Sequence, residues 1–178
     1  MKIAQLGHPV LRQVAKPVTG IDDEIQALID DLFATSEAAN GAGIAAPQIH
    51  VSLRVFILSI KPTPRYPNAP VMEPTAVINP EILWKSEECK KDWEGCLSVP
   101  GIRGLVPRPV KIKARYTTRN GEEVEVEFSD FAARVFLHEF DHLEGLTWLD
   151  HIEDNREIFS ETEYLEAIQT QSMAEPGV

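Results

Sequence analysis

Two histidines four residues apart, His138 and His142, enclose Glu139 in the stretch His138-Glu139-Phe140-Asp141-His142. On a helix, positions i and i+4 share a face with Cβ atoms about 5–6 Å apart, so both imidazoles can reach one divalent ion at roughly 2.0–2.1 Å. A carboxylate one residue beyond the first histidine lies beside the ion's open position, where it can take a proton from water. The apolar residues around this stretch predict a largely buried helix, in which two unpaired histidines would be costly. The pattern therefore predicts a hydrolytic metal site, with His138 and His142 as ligands and Glu139 as acid/base.

A catalytic ion of this kind normally takes three protein ligands and keeps a fourth position open. One candidate third ligand is a glutamate on a later helix, the zincin arrangement of thermolysin-like endopeptidases; Glu161 and Glu163 lie about twenty residues beyond His142. That region is rich in acidic residues, and a solvated face accounts for both glutamates equally well. The other candidate is Cys96, in Glu94-Gly95-Cys96-Leu97-Ser98-Val99-Pro100. Gly95 permits close backbone approach to a ligand, and Val99-Pro100-Gly101 reads as a turn. Cys89, by contrast, reads as a small buried apolar residue.

Several elements must position these groups. Residues 21–40 carry Ile21, Ile25, Leu28, Ile29, Leu32 and Phe33 at helical spacing, with Asp22 or Asp23 as the cap and Asn40-Gly41 as the stop. Residues 41–48 form a tight small-residue segment entering a strand at about 51–60. Residues 61–74 hold five prolines and predict an extended loop. Strands follow at about 76–84, 110–117 and 122–128, the last two joined by Arg119-Asn120-Gly121, a hairpin signal. Val124, Val126 and Phe128 alternate with Glu123, Glu125 and Glu127, so that strand buries one face. Ser129 or Asp130 caps a helix over 131–143 that Gly145 ends, and a further helix spans about 154–171. Such an order predicts an α+β fold with antiparallel β-sheets around a central HExxH helix, flanked by an N-terminal and a C-terminal helix.

Length and composition agree with one domain over residues 1–178. The net charge of −11 argues against nucleic-acid or membrane binding of the chain's own, since both reward a basic face. Its first residues lack an apolar export segment, so two reduced cysteines in a cytosol-like compartment are expected.

Taken together, the segments resemble the peptide deformylase family. Gly41-Ala42-Gly43-Ile44-Ala45-Ala46-Pro47-Gln48, Glu94-Gly95-Cys96-Leu97-Ser98 and His138-Glu139-Phe140-Asp141-His142-Leu143-Glu144-Gly145 stand in the family's order and spacing, and Gly7-His8-Pro9-Val10-Leu11-Arg12 is similar to its opening. The resemblance implies removal of the formyl group from N-formylmethionyl nascent peptides, with release of formate. It implies Cys96, His138 and His142 as metal ligands for Fe(II) foremost, with zinc, nickel or cobalt as replacements. An ion-activated water is then the nucleophile, Glu139 moves its proton, and the Gln48 amide and Leu97 N–H serve the oxyanion. By the same likeness Ala42, Gly43 and Gly95 pair with the substrate main chain. A methionine pocket is lined by Ile44, Phe131, Val135, Glu94 and His138, and Arg103 forms a salt bridge with Glu94. A cytoplasmic location of bacterial type is implied, or an organellar one if a transit peptide has been removed, with transient ribosome contact in either case. One departure is Leu137, where the family usually has glutamine. It leaves open an altered or non-catalytic member.

Overall fold

The computed structural model describes residues 1–63, 66 and 68–174. Helix α1 (Asp23–Ala38) starts at Asp22, whose carboxylate accepts the Ile25 N–H at 3.0 Å, the expected capping bond. Strands β1 (Gly43–Ala45), β2 (Val55–Leu58) and β3 (Thr75–Lys85) follow. Next come β4 (Cys89–Cys96), β5 (Val99–Pro109), β6 (Lys111–Thr117) and β7 (Glu123–Ser129), then α2 (Asp130–Leu143), β8 (Ile158–Ser160) and α3 (Glu161–Ala174). All pairings between strands are antiparallel, in one sheet of order β1-β2-β3-β6-β7 and another of order β4-β5-β8. The α+β arrangement around a central HExxH helix is thus observed.

The five-stranded sheet lies between two helices, and β2 shows how. All four of its residues are buried, but they alternate in destination. Val55 and Ile57 pack with Leu28, Ile29 and Leu32 of α1, whereas Phe56 and Leu58 pack with Phe136, Leu137 and Leu143 of α2. Period-two alternation in a strand covered on both faces produces this split. Phe56 and Phe136 meet edge-on with ring centroids 5.0 Å apart.

Three expectations need correction. Val99-Pro100-Gly101, expected as a turn, lies in β5: residues 89–109, assigned no element from sequence, form the long β4–β5 hairpin, and its turn is Leu97-Ser98, since Cys96 already pairs with Val99. Gly and Pro obscure this hairpin in sequence. Pro100, Pro107 and Pro109 are tolerated because β8 pairs only Ile102–Gly104 of β5, leaving the prolines without a ladder neighbour on that side. The C-terminal helix begins at Glu161 rather than near 154, because Asn155–Glu157 is a 3-10 turn and Ile158–Ser160 is spent on pairing with β5. Cys89 is exposed at the open end of β4, not buried. The expected loop over 61–74 includes residues 64, 65 and 67, which lie outside the described residues, as do 175–178 at the chain end.

Candidate metal centre

Helix α2 is buried around most of its circumference, which fixes its three chemical side chains rigidly. It ends in a Schellman arrangement: Leu146 N–H donates to Asp141 O at 2.9 Å, Gly145 N–H to His142 O at 3.4 Å, and Gly145 takes φ +72°. His138 and His142 present their imidazoles on one face, with ring centroids 5.2 Å apart. The turn after β4 brings Cys96 to them. One donor atom from each of Cys96, His138 and His142 lies within 4.8 Å of the others, and Sγ of Cys96 stands 3.3 Å from Nε2 of His142. Ligands 2.0–2.3 Å from a shared tetrahedral ion stand about 3.3–3.8 Å apart; the Cys96–His142 pair has that spacing, and His138 lies close enough to complete a site for a divalent ion. The group contains neither Glu161 nor Glu163, and Glu161 is engaged by Arg103 at 3.1 Å. The zincin alternative has no support.

Electrostatics agree with that fit. Burial alone would push the Cys96 thiol up, but the His142 and His138 imidazoles outweigh it and hold it well below the ordinary thiol value. A thiol that ionises readily is the ligand a soft or borderline ion needs. For His138, burial opposes charge, yet Cys96 and Glu94 raise its pKa well above the usual value. Nδ1 of His138 meets Glu94 Oε2 at 2.9 Å, which leaves Nε2 for the triad. Glu94 is itself buried and is held by Arg108 through two bonds of 2.8 and 3.0 Å and by Arg134 at 2.8 Å. Burial disfavours its charge, but His138 and Arg108 overcome this and keep the carboxylate far below its ordinary range.

Glu139 differs. Burial raises its pKa to about 7, against the opposing pull of His138 and His142. Oε2 has no hydrogen-bond partner among the described residues. A buried carboxyl with a free oxygen and a near-neutral pKa can both take and give a proton at physiological pH. Gln48 comes from the 3-10 turn Ala46–Ile49 that follows β1. Its Oε1 accepts the Ala45 N–H at 2.8 Å, which assigns Nε2 as the donor toward Ser98 Oγ at 3.1 Å and Cys96 Sγ at 3.5 Å. The amide N–H₂ is thereby aimed at the thiol.

Gln48, Glu94, Cys96, His138 and Glu139 line a cleft with Ala42, Gly43, Gly95, Leu97, Phe131 and Val135, together with Gly41, Tyr66, Trp93 and Arg134, while His142 is fully buried and does not line it. Strands β1 and β4 are terminal strands of their two sheets, and both contribute to its walls. Two residues named from sequence are elsewhere. Ile44 is fully buried against α1, because its neighbours Gly43 and Ala45 occupy the opposite face of β1. Arg103 does not pair with Glu94. Register explains it: Glu94 is opposite Gly104, so Arg108, four residues on, shares the Glu94 face and Arg103 takes the other. Arg103 is buried beside Gly95, between the Tyr66 and Tyr164 rings, and bonds Glu161. Sequence reasoning passed over Arg108 and Arg134, since only the register reveals their partner. Leu137 is 3% exposed and packs in the main core. His142 Nδ1 has no hydrogen-bond partner among the described residues.

A helix-borne His-Glu-His set completed by a strand-borne thiol, beside a cleft walled by the edge strands of two sheets, defines a candidate metallohydrolase centre. The profile of the family described as "Polypeptide deformylase" matches residues 1–157. The chain is 54% identical over 169 residues to "Peptide deformylase 2" of Nostoc sp., covering 94% of each chain. It is 45% identical over 150 residues to "Peptide deformylase 2" of Shewanella oneidensis, covering 84% of this chain and 83% of that one. A crystal structure of a class I type b peptide deformylase from Acinetobacter baumannii with Met-Ala-Ser bound superposes with a TM-score of 0.82 at 43% identity, covering 84% of this chain and 96% of that one. The chain belongs to the polypeptide deformylase family and is a deformylase enzyme.

Proposed function

We propose that the protein removes the formyl group from N-formylmethionyl nascent peptides, releasing formate, in one catalytic domain spanning the chain. The observation that carries this reading is the Cys96–His138–His142 triad with the Glu139 carboxyl, pKa about 7, beside it. A divalent ion held by the triad, Fe(II) foremost or zinc, nickel or cobalt in its place, would supply Lewis acidity toward water and a carbonyl.

This chain's own residues account for the rest. Glu139 takes a proton from the attacking water and returns it to the departing amine, its buried carboxyl being held beside the triad by α2. The Gln48 Nε2–H₂ and the Leu97 N–H donate to the oxygen that becomes negative as the formyl carbon turns tetrahedral. An extended peptide laid between β1 and β4 would bond to the backbone of Ala42, Gly43 and Gly95, which recognises main chain and tolerates varied sequence. Phe131 and Val135, with Glu94 and His138 at the margin, form the wall for the methionine side chain. The Acinetobacter baumannii relative holds Met-Ala-Ser, the tripeptide that deformylation of formyl-Met-Ala-Ser leaves. Ile44 supports the cleft from the core, and Arg103 supports Gly95 from below rather than meeting Glu94. We further propose action in the cytoplasm with transient ribosome contact. The net charge of −11 gives no attraction to nucleic acid or anionic membrane, and no helix among the described residues is long and apolar enough to cross a membrane.

The deciding assay is formate release from formyl-Met-Ala-Ser under anaerobic conditions with Fe(II) or Ni(II) supplied. Formate with intact internal peptide bonds is expected. Absence of formate from folded, metal-loaded protein would overturn the reading in favour of a non-catalytic formyl-peptide binder.

A further inference from the structure

We infer that Arg108 is the positioning residue that braces the thiol strand against the histidine helix, fixing the metal ligands through Glu94 on one side and Asp141 on the other. Its guanidinium reaches both carboxylates at once. Nε and Nη2 donate to Glu94 Oε1 and Oε2 at 2.8 and 3.0 Å, and Nη1 forms an ion pair with Asp141 Oδ2 at 2.7 Å, without hydrogen-bond geometry. Glu94 stands two residues before Cys96 on β4, and its Oε2 holds His138 Nδ1 at 2.9 Å. Asp141 lies between Glu139 and His142 on α2. One rigid fork therefore sets both the orientation of the His138 ring and the distance between the elements that carry Cys96 and His142.

The arrangement is buried at its centre and anchored at its rim. Arg108 is 4% exposed, Glu94 3% and Asp141 7%. His151, at the end of the 3-10 turn Trp148–His151 and partly open to solvent, places Nε2 2.9 Å from Asp141 Oδ2 and closes the chain of contacts at the surface. Arg134 does different work. It also meets Glu94, but its other bonds run to the backbone carbonyls of Lys90, Asp92 and Val106, so it ties α2 to the hairpin without touching Asp141. Only a planar fork can serve two carboxylates in this geometry. A lysine at 108 keeps the charge but offers one compact ammonium that reaches one of them.

The inference rests on the metal-site part of the proposed function and is independent of the reaction. Its test is Co(II) binding to the full-length protein, read by the thiolate-to-cobalt and d–d absorption bands and by competition with a chelator. Arg108→Lys is expected to fold with a near-wild-type Tm, to bind Co(II) about 10–100-fold more weakly, and to shift the d–d bands, as loss of a group that orients a metal-bound histidine does. Folded Arg108→Lys protein with wild-type bands and affinity would overturn the inference. Should Arg108→Lys fail to fold, His151→Ala decides from the exposed end: a several-fold loss of Co(II) affinity upholds the brace, and unchanged affinity and bands overturn it. Wild-type protein that binds no Co(II) would overturn the metal site itself, which separates the two failures.

Discussion

Gly43 and Glu139 leave no space between them: a Cβ on Gly43 would come within 2.8 Å of Glu139 Oε1 and 2.9 Å of its Cγ, and within 2.9 Å of Ile57 O. The glycine is thus required by close approach, since strand β1 passes directly over the carboxyl. Gly43→Ala must push either the strand or the carboxyl aside. Displacement of a reacting group by about 1 Å costs on the order of 10²-fold in turnover, so kcat for formyl-Met-Ala-Ser should fall about that far with metal content unchanged. A Gly43→Ala enzyme with wild-type kcat would show that the contact is irrelevant to the chemistry.

The Glu139 carboxyl, raised to about 7 by burial, makes stability depend on pH when metal has been removed with a chelator. Between the ordinary carboxyl value near 4.5 and about 7, the folded protein holds a proton here that the unfolded chain has released. Stability therefore falls as pH rises through that window and levels off above it. Glu139→Gln removes this group's share of the dependence. Chelated Glu139→Gln should be more stable than chelated wild type at pH 8, by no more than about 3 kcal/mol, and nearly equal to it at pH 5. Equal stability at both pH values in urea titrations would refute the assignment. With metal restored, the same variant should bind the ion and lose about 10²–10⁴-fold in turnover.

Cys96 and Gln48 should separate binding from rate. Cys96→Ala removes the only sulfur ligand of the triad, and stoichiometric metal should be lost on dialysis. Gln48→Ala leaves the triad whole but removes an amide aimed at it. Turnover should drop about 10²–10³-fold, with the metal retained. Intact metal content and activity in Cys96→Ala would remove the deformylase reading altogether.

Gly145 offers a test of the scaffold. Its φ of +72° disfavours any Cβ, and a Cβ there would meet the Arg12 backbone carbon at 2.8 Å. Gly145→Ala should destabilise the protein by about 1–3 kcal/mol. Leu143 O accepts the Ala15 N–H at 2.8 Å close by, so amide exchange should rise at Ala15. No change in Tm would contradict the packing of the N-terminal segment against the end of α2.

Some of this was legible in the residues. The spacing of His138, Glu139 and His142 predicts a helix and a shared face, because helical periodicity is local. The same holds for the alternating Val124–Phe128 strand, for the Asp22 cap and for Gly145 as a helix stop. The β4–β5 hairpin was not legible, since Gly95, Pro100, Gly101, Gly104 and the later prolines erase the pattern that marks a strand. The family likeness pointed to Arg103 as the partner of Glu94, and Arg108 is the actual one. Strand register decides between them, and register is a property of two strands together. Ile44 was misplaced for a similar reason: which face of β1 meets the cleft depends on what covers the other face, and α1 covers it.

By itself, then, the sequence pointed to His138 and His142 as candidate ligands, and determined the helix that carries them and the α+β class, since each follows from residue chemistry and short-range periodicity. Motif likeness, rather than periodicity, named Cys96 as the third ligand. Only the tertiary structure decided that Cys96, from a hairpin more than forty residues away, stands 3.3 Å from His142, that Glu139 is buried enough for its pKa to reach about 7, and that Arg108 joins Glu94 to Asp141. Distance, desolvation and register arise between segments remote in the chain, and no single stretch encodes them.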